Sequence, residues 1–214
     1  MQGALEGPHL RGWKDNDPRR LRMAEKRAAI LDAAWPIFLR DGWVGASLER
    51  VAAESGISKM TVYRHFGTKE ELFEALVEEM CRRMLADAEA AAPAAGLSLA
   101  NRLTAEAHSF VAALTGLEAL AFYRLVIADG WRFPALARAF ERSGMAVLRR
   151  RVSAILEEAG LNPAETARRA SGFINLALGD AYLEAALGID DPDRGARFEA
   201  QIASAADFAL AGAP

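Results

Sequence analysis

The hydrophobic pattern of this chain is helical from near its start. From Arg22 onwards, apolar side chains recur three or four positions apart, as Ile30, Ala34 and Ile37 do. This spacing places them on one face of an amphipathic helix. Pro36 lies inside the pattern and lacks a backbone N–H, so we expect a bend in the helix at that point.

Two short helices and a longer one are predicted to follow. Ser47 is a favourable N-cap for a helix over 48–55, and Gly56 can end that helix in the left-handed conformation. Ser58 is placed to cap a second short helix. The sequence TKEE at 68–71 has the form of a capping box and predicts the start of the longer helix.

The rest of the chain is also helical in pattern, whereas its beginning is not. Residues 1–21 contain Gly, Pro and scattered charges without an apolar period, so they are predicted to form a disordered arm. A low-complexity stretch, AAAPAAG, predicts a loop after the longer helix. Because strand-like alternation is absent from the sequence, the predicted fold class is all-α, with about nine helices. The remaining helices are predicted over 98–115, 117–128, 134–159, 164–187 and 192–211.

Charge is distributed unevenly along the chain. The net charge is −3 overall, but residues 1–69 hold 12 Lys and Arg against 8 Asp and Glu, while residues 70–214 hold 14 against 21. The first part therefore has a net charge of +4 and the second part −7. A polyanion such as DNA would be attracted to the first part and repelled by the second.

The positive part contains the pattern of a helix-turn-helix. Two helices of about eight residues, joined by a short turn with a glycine, have the spacing of this motif. Its predicted core would turn polar, basic and aromatic side chains of the second helix outward, where they can enter the major groove and reach bases and phosphates. Spacing alone leaves an ordinary solvated helix face as an equal alternative. The core residues are Leu48, Val51, Ala52, Val62 and Phe66.

The amino-acid sequence of this segment favours DNA binding over a plain solvated face. The run LERVAAESGISKMTVYRHFGTKEELF at 48–73 closely resembles the signature of the tetracycline-repressor (TetR) family of transcriptional regulators. The preceding helix is also similar to the family pattern, over residues 29–42. Pro36 departs from that pattern, because the family usually has a helix-forming residue there.

The resemblance implies how the chain is divided. After the arm at 1–21, residues 22–68 would form a three-helix DNA-binding domain with the helix-turn-helix. Residues 69–214 would form a larger helical domain that binds an effector and forms a dimer. The larger domain is expected to diverge among family members, so its ligand is not implied by the resemblance.

The resemblance also implies roles for individual residues of the DNA-binding domain. One group would bind phosphates, a second would face the bases, and hydroxyl groups would contact the DNA backbone. The residues are Tyr63, His65 and Lys69 for phosphates, Lys59, Met60, Thr61 and Arg64 for bases, and Ser47, together with Thr61, for hydroxyl contacts.

The C-terminal helices have the pattern of a dimer interface. Residues 170–179 carry no charge on any face, and a helix that is apolar all round must be covered on both sides. The last helix repeats apolar residues with coiled-coil-like spacing. Two such helices from each of two chains would form a four-helix interface, and a centrally buried helix in a monomer is the alternative. The predicted interface residues are Phe173, Ala177, Ala181, Phe198, Ile202 and Ala205.

An effector pocket is implied among the helices between residues 69 and 159. An apolar or aromatic effector is expected, and an acidic group on it would suit Arg124 or His108. The alternative for the aromatic residues is ordinary core packing. The predicted pocket residues are Arg102, His108, Phe110, Phe122, Tyr123, Arg124, Trp131 and Phe140.

These features together predict a ligand-responsive transcriptional repressor. It would bind a palindromic operator in double-stranded DNA as a homodimer and be released by a small-molecule effector. An enzyme is not expected, because the P-loop, the nucleophile-elbow and the zinc-protease motifs are absent from the sequence. No cofactor and no metal site are expected either. The alternatives are a helical partner-binding protein and a small-molecule-binding enzyme, each with a non-functional helix-turn-helix.

The expected location is the cytoplasm. The sequence contains no run of about 18 uncharged apolar residues that would form a membrane span. Its N-terminal segment lacks the apolar central run of a secretion signal.

Overall fold

The computed structural model describes residues 17–90 and 97–212, with the side chains of 87–90 excepted. The predicted arm up to residue 16 and the AAAPAAG loop from residue 91 onwards lie outside the described residues. Close contacts divide the chain into two compact units, of which the first ends at Glu79 and the second begins at Met80.

The described residues are helical and contain no strand, which confirms the all-α fold class. A π-helical turn and a 3-10 turn extend the segment after α7, and if residues 134–159 are counted as one continuous helix, the described ranges hold nine helices. The bounds are α1 Pro18–Gly45, α2 Leu48–Ser55, α3 Lys59–His65, α4 Lys69–Ala90, α5 Leu99–Thr115, α6 Leu117–Gly130, α7 Pro134–Phe140, the π turn Glu141–Met145, α8 Ala146–Leu156, the 3-10 turn Glu157–Ala159, α9 Pro163–Leu187 and α10 Arg194–Leu210.

Helix α1 begins at Pro18, inside the segment that was predicted to be a disordered arm. The Asp17 side chain accepts a hydrogen bond from the Arg19 N–H at 2.8 Å, and Pro18 occupies the first helical position. Both are strong helix-start signals, so residues 17–21 are corrected from the predicted disordered arm to the start of α1. The helix continues through Pro36, and the non-helical backbone inside it lies at Gly42, where φ is 63°.

The first unit is built around an aromatic cluster. The rings of Phe38 and Phe73 stack with centroids 4.5 Å apart, and the Trp43 ring lies 5.2 Å from that of Phe73. All three side chains are buried, and Ile37 is fully buried beside Phe38 in the sequence. These contacts fix the first turns of α4 against the end of α1, which positions the residues that begin α4.

The helix-turn-helix forms as its end signals predict. The Ser47 hydroxyl accepts from the Arg50 N–H at 3.2 Å, and the Ser58 hydroxyl accepts from the Thr61 N–H at 3.3 Å. Gly56 ends α2 with φ of 66°, a left-handed conformation that glycine adopts without strain. The predicted core between the two helices is confirmed, because its five side chains, Leu48, Val51, Ala52, Val62 and Phe66, are all buried.

The second unit has a core formed by α5, α8, α9 and α10, in which the Phe110 ring meets the Phe173 ring edge-on at 6.2 Å. A partly buried ion pair joins two of these helices, with Arg151 Nε 2.8 Å from a carboxylate oxygen of the buried Glu106. Arg151 also donates to the Leu85 carbonyl at 3.2 Å. This side chain therefore ties the end of α4 to α5 and α8.

Taken singly, none of the described helices has the length and hydropathy needed to cross a membrane. Helices α5 and α6 pass the same criteria only as a pair, and they meet at an angle of 74°.

Candidate DNA-binding surface and ligand cavity

The outward face of α3 is polar, basic and aromatic. Val62 is fully buried on the inner side of this helix, while Met60 is 82% exposed and Tyr63 is 40% exposed. Lys59 and Arg64 are exposed as well. A short helix that presents such groups has the size and chemistry of an element that enters the major groove.

The carboxylate of Glu49 binds two of the side chains that are predicted to contact DNA. The Tyr63 hydroxyl donates to Glu49 Oε1 at 2.6 Å, and Lys59 Nζ lies 3.0 Å from the same oxygen. Hydrogen bonds from Tyr63 and Lys59 lower the pKa of the Glu49 carboxyl to about 2. Glu49 carries no signal of this role in the sequence, because only the geometry of the turn brings the start of α2 beside α3.

Lys69 is held at the start of α4 by its surroundings. Its Nζ lies 4.5 Å from the centroid of the Trp43 ring, within the range of a cation–π contact. Half of the predicted capping box forms beside it, because Thr68 Oγ1 accepts from the Glu71 N–H at 3.1 Å. The Glu71 carboxylate accepts from the Gly67 N–H at 2.9 Å, one residue before the expected donor. An ammonium group at a helix N-terminus is well placed for a phosphate, because the first N–H groups of the helix point the same way.

The remaining predicted DNA contacts are less available. The hydroxyl groups of Ser58 and Thr61 lie 2.8 Å apart, and the Ser47 hydroxyl caps α2. His65 Nε2 is buried and has no hydrogen-bond partner among the described residues. Burial, followed by the charge of Arg64, lowers the pKa of His65, so its imidazole is neutral at physiological pH. A contact from His65 to DNA would therefore be made without a positive charge.

The second unit contains a cavity with a volume of about 200 Å³. It lies between α4, α5, α6, the segment from α7 to α8, and α9. Its walls are formed by Cys81, Met84, Leu85, Leu114, Ala119, Phe122, Tyr123, Phe140, Gly144, Met145, Leu148, Asn175, Leu178 and Tyr182.

The cavity walls are aromatic and uncharged. The Tyr123 ring lies 5.1 Å from the Tyr182 ring and 6.5 Å from the Phe140 ring, measured between centroids. Burial raises the pKa of the Tyr182 hydroxyl, which stays neutral. None of the described lining residues is Asp, Glu, Lys, Arg or His, and Asn175 supplies an amide. An ionised ligand would lose its hydration there without a charged partner, so a neutral one is favoured.

A π-helical turn forms part of this wall. The turn Glu141–Met145 contributes Gly144 and Met145, and Phe140 lies directly before it. A Cβ atom at Gly144 would lie 3.3 Å from the Cys81 sulfur, so glycine allows α4 to approach closely. π-helical turns are frequent at functional sites, because they change the direction of side chains within a helix.

Three of the predicted pocket residues, Phe122, Tyr123 and Phe140, line the cavity. Two of the other predicted aromatic residues do not. Phe110 is fully buried in the core of the second unit, and Trp131 is 79% exposed, with its Nε1 donating to the Ala128 carbonyl.

The predicted polar anchors of the pocket also lie elsewhere. Arg102 pairs with Glu158 at 2.6 Å, and the His108 ring nitrogen lies 2.9 Å from a carboxylate oxygen of Glu199. Arg124 donates to the backbone carbonyls of residues 185 and 186, in the last turn of α9. The expectation of an acidic group beside Arg124 or His108 is corrected, because these side chains bind protein groups outside the cavity.

The predicted dimer residues need the same kind of correction. All six lie in the core of the second unit, where contacts between α9, α10 and the neighbouring helices cover them. Side chains buried within one chain are not available to another chain unless the fold opens. The six residues that no longer belong to the predicted interface are Phe173, Ala177, Ala181, Phe198, Ile202 and Ala205.

Known protein families match both units of the chain. Residues 30–76 match the family described as "Bacterial regulatory proteins, tetR family". Residues 101–212, just over half of the chain, match "AefR-like transcriptional repressor, C-terminal domain". The HTH-type transcriptional repressor SCO4008 of Streptomyces coelicolor is 40% identical over 53 residues, 25% of this chain and 28% of that protein. The first curated relatives are thus matched over less than a third of their length.

Solved structures match over most of the chain. A TetR-family transcriptional regulator from Mesorhizobium loti is 27% identical, with a TM-score of 0.72, and the match covers 89% of this chain and 97% of that one. The "Flavonoid-responsive Regulator FrrA" is 30% identical, also with a TM-score of 0.72, and the match covers 87% of this chain and 95% of that one.

The exposed helix-turn-helix and these relatives define the class of helix-turn-helix transcriptional regulators. Because the C-terminal match spans more than half of its length, the chain belongs to the TetR family of bacterial regulators, with an AefR-like C-terminal domain. This confirms the family resemblance of the helix-turn-helix sequence.

Proposed function

We propose that this chain is a homodimeric repressor that binds a palindromic operator and is released by an uncharged aromatic effector. The observation that supports operator binding most directly is the outward face of α3, with Met60, Tyr63 and Arg64 exposed above a buried Val62. A bacterial DNA-binding protein of this kind would act in the cytoplasm, where the chromosome lies.

The proposed dimer uses the exposed sides of α9 and α10, which replace the buried residues predicted from sequence. Leu176, Leu183 and Leu187 of α9 are 40%, 53% and 68% exposed. Small residues follow the exposed side of α10, including Ala203 and Ser204. Dimers are typical of the family, and packing of these sides against a second copy would bury the leucines in a four-helix interface. A two-fold dimer would place its recognition helices about 34 Å apart, one turn of DNA.

The proposed effector is aromatic, neutral and hydroxylated. Phe122, Phe140 and the two tyrosines supply ring faces, while phenol hydroxyls and the Asn175 amide can pair with hydroxyl or carbonyl groups of a ligand. FrrA, which is 30% identical to this chain, is named for its response to flavonoids. Flavonoids are hydroxylated aromatics, so they are the first effectors to test.

The proposed route of release follows α4. This single helix begins with the predicted phosphate contact Lys69 and carries three residues of the cavity wall, Cys81, Met84 and Leu85. A ligand that displaces the wall would shift the helix and so change the position of its first turn. A difference of about 1–3 kcal/mol in ligand affinity between the two states is sufficient for such coupling.

The experiment that tests the proposed function is selection of duplexes from a random-sequence pool, repeated with naringenin, a flavonoid, present. We expect a palindromic consensus with half-sites about one helical turn apart, and loss of binding when the effector is added. If the protein prefers no DNA sequence at low salt, the proposed function as a transcriptional regulator is contradicted. Binding without any response to flavonoids would contradict only the effector class.

The first prediction concerns the phosphate contact at the start of α4. Lys69→Ala should weaken binding to operator and to random DNA by the same factor, because phosphates carry no sequence information. The slope of log affinity against log salt should fall by about one unit. Fluorescence anisotropy over a salt series measures both quantities. Arg150→Ala, which removes an exposed positive charge from α8, is the control, and an unchanged slope in Lys69→Ala would contradict the assignment.

The second prediction concerns base recognition by α3. Arg64→Ala should change the selected consensus at one position in each half-site, because a side chain that reads a base edge contributes about 1–3 kcal/mol of discrimination. Selection from the same random pool measures this change. Lys69→Ala, which should keep the wild-type consensus, is the control. A uniform fall in affinity with an unchanged consensus would show that Arg64 reads no base.

A further inference from the structure

We propose that Glu49 is a built-in competitor of the DNA backbone. In the free protein it occupies Tyr63, the predicted phosphate contact of α3, and Lys59, which this proposal assigns to a phosphate instead of a base. This inference rests on the proposed function. Its basis is the convergence of two donors on one oxygen, with the Tyr63 hydroxyl at 2.6 Å and Lys59 Nζ at 3.0 Å from Glu49 Oε1. A phosphate oxygen would satisfy the same two donors, so the carboxylate takes the place of a phosphate.

The arrangement is fixed by the fold but easily opened. Glu49 lies in the first turn of α2, whose N-terminus is capped by Ser47, and both donors project from α3. The Lys59 ammonium also lies 5.7 Å from the centroid of the Tyr63 ring, which keeps the two donors together. Because the side chains of Glu49 and Lys59 are 49% and 61% exposed, water and salt screen their attraction, and DNA can displace the carboxylate at small cost.

Two consequences follow for DNA binding. Every duplex must displace Glu49 from Lys59 and Tyr63, whatever its sequence, so Glu49 lowers specific and non-specific affinity by a common factor. After displacement, its negative charge remains close to the phosphates and opposes binding, most strongly at low salt. Glu49 thus limits occupation of the large excess of non-specific sites in a genome, while the base contacts still select the operator.

The test compares Glu49→Gln with the wild-type protein on operator and random duplexes of equal length, from about 50 to about 200 mM salt. We expect Glu49→Gln to bind both duplexes about 3- to 10-fold more tightly, with a steeper salt dependence. Glu49→Asp keeps the charge on a shorter side chain, so its affinity for the duplexes should increase less than that of Glu49→Gln. Glu70→Gln, which removes an exposed charge from the first turn of α4, should gain less than twofold.

A double substitution separates this mechanism from general electrostatics. In a Tyr63→Phe background, one of the two donors is absent, so Glu49→Gln should gain clearly less than it does in the wild-type protein. If the wild-type protein binds DNA and Glu49→Gln binds it equally well or more weakly, the inference about Glu49 is overturned. The proposed regulator function is not affected by that result. Failure of the wild-type protein to bind any duplex at low salt would overturn the proposed function, and this inference with it.

Discussion

Replacement of Leu176 and Leu183 by Arg is expected to make the protein monomeric and to weaken operator binding by about 100-fold or more. The two leucines are exposed on either side of Gly179, where the backbone of α9 is non-helical with φ of 44°. In a two-fold interface each substitution occurs twice, so four guanidinium groups would meet across the contact. A monomer binds one half-site and loses the gain from linked binding, which is typically about 10²–10⁴-fold. Sedimentation measures the oligomeric state, and anisotropy measures operator affinity.

A matched control separates dimerisation from a general effect of charge. Leu117 and Ile127 of α6 are 90% and 59% exposed, so Leu117→Arg with Ile127→Arg adds the same two charges at other exposed apolar positions. This variant should remain dimeric and bind the operator as the wild-type protein does. A dimeric Leu176→Arg/Leu183→Arg variant with intact helical content would contradict the proposed interface and direct attention to another surface.

The buried and exposed apolar residues of α9 show how much of a C-terminal helix the sequence can predict. Residues 170–179 carry no charge, which predicts cover on both sides of α9, but within this chain the side that carries Leu176 is exposed. The pattern cannot tell which apolar residues face the chain's own core. Phe173 and Ala177 are buried in the core of the second unit, whereas Leu176 and Leu183 are exposed, although all four are apolar residues of one helix. Only the packing of neighbouring helices decides between these sides.

Helix ends were predicted well where capping residues mark them. Ser47 and Ser58 make the predicted caps, and Gly56 adopts the predicted left-handed conformation. These signals are local, because a cap depends on residues within one turn. The early start of α1 at Pro18 was also signalled, by Asp17 before the proline, but the charged residues around them resemble a disordered arm in composition.

The functional residues that the sequence missed depend on contacts between distant positions. Glu49 meets Lys59 and Tyr63 only because the turn folds α2 onto α3. Tyr182 reaches the cavity from α9, far along the chain from the helices expected to surround a ligand. Tyr182 occupies a position in the apolar repeat of α9 that an ordinary core residue would also occupy. No sequence pattern therefore distinguishes it from the side chains that fill the core.

The cavity gives the last prediction, in which Ala119→Phe abolishes the effector response and preserves operator binding. Ala119 is 4% exposed and lines the cavity, so a phenyl ring there occupies much of a space of about 200 Å³. Filling a pre-existing apolar cavity commonly raises the free energy of unfolding by about 0.5–2 kcal/mol, so the variant should be at least as stable as the wild-type protein. Thermal unfolding tests stability, and anisotropy with labelled operator and naringenin tests release.

The control for this variant is Ala128→Phe, which places the same ring at an exposed position of the same helix. It should respond to naringenin as the wild-type protein does, because it leaves the cavity open. Release of Ala119→Phe by naringenin at wild-type concentrations would show that the effector binds elsewhere. Loss of release in both variants would instead trace the effect to a disturbance of α6. The ligand site can therefore be assigned to the cavity only if the response depends on which side of α6 carries the ring.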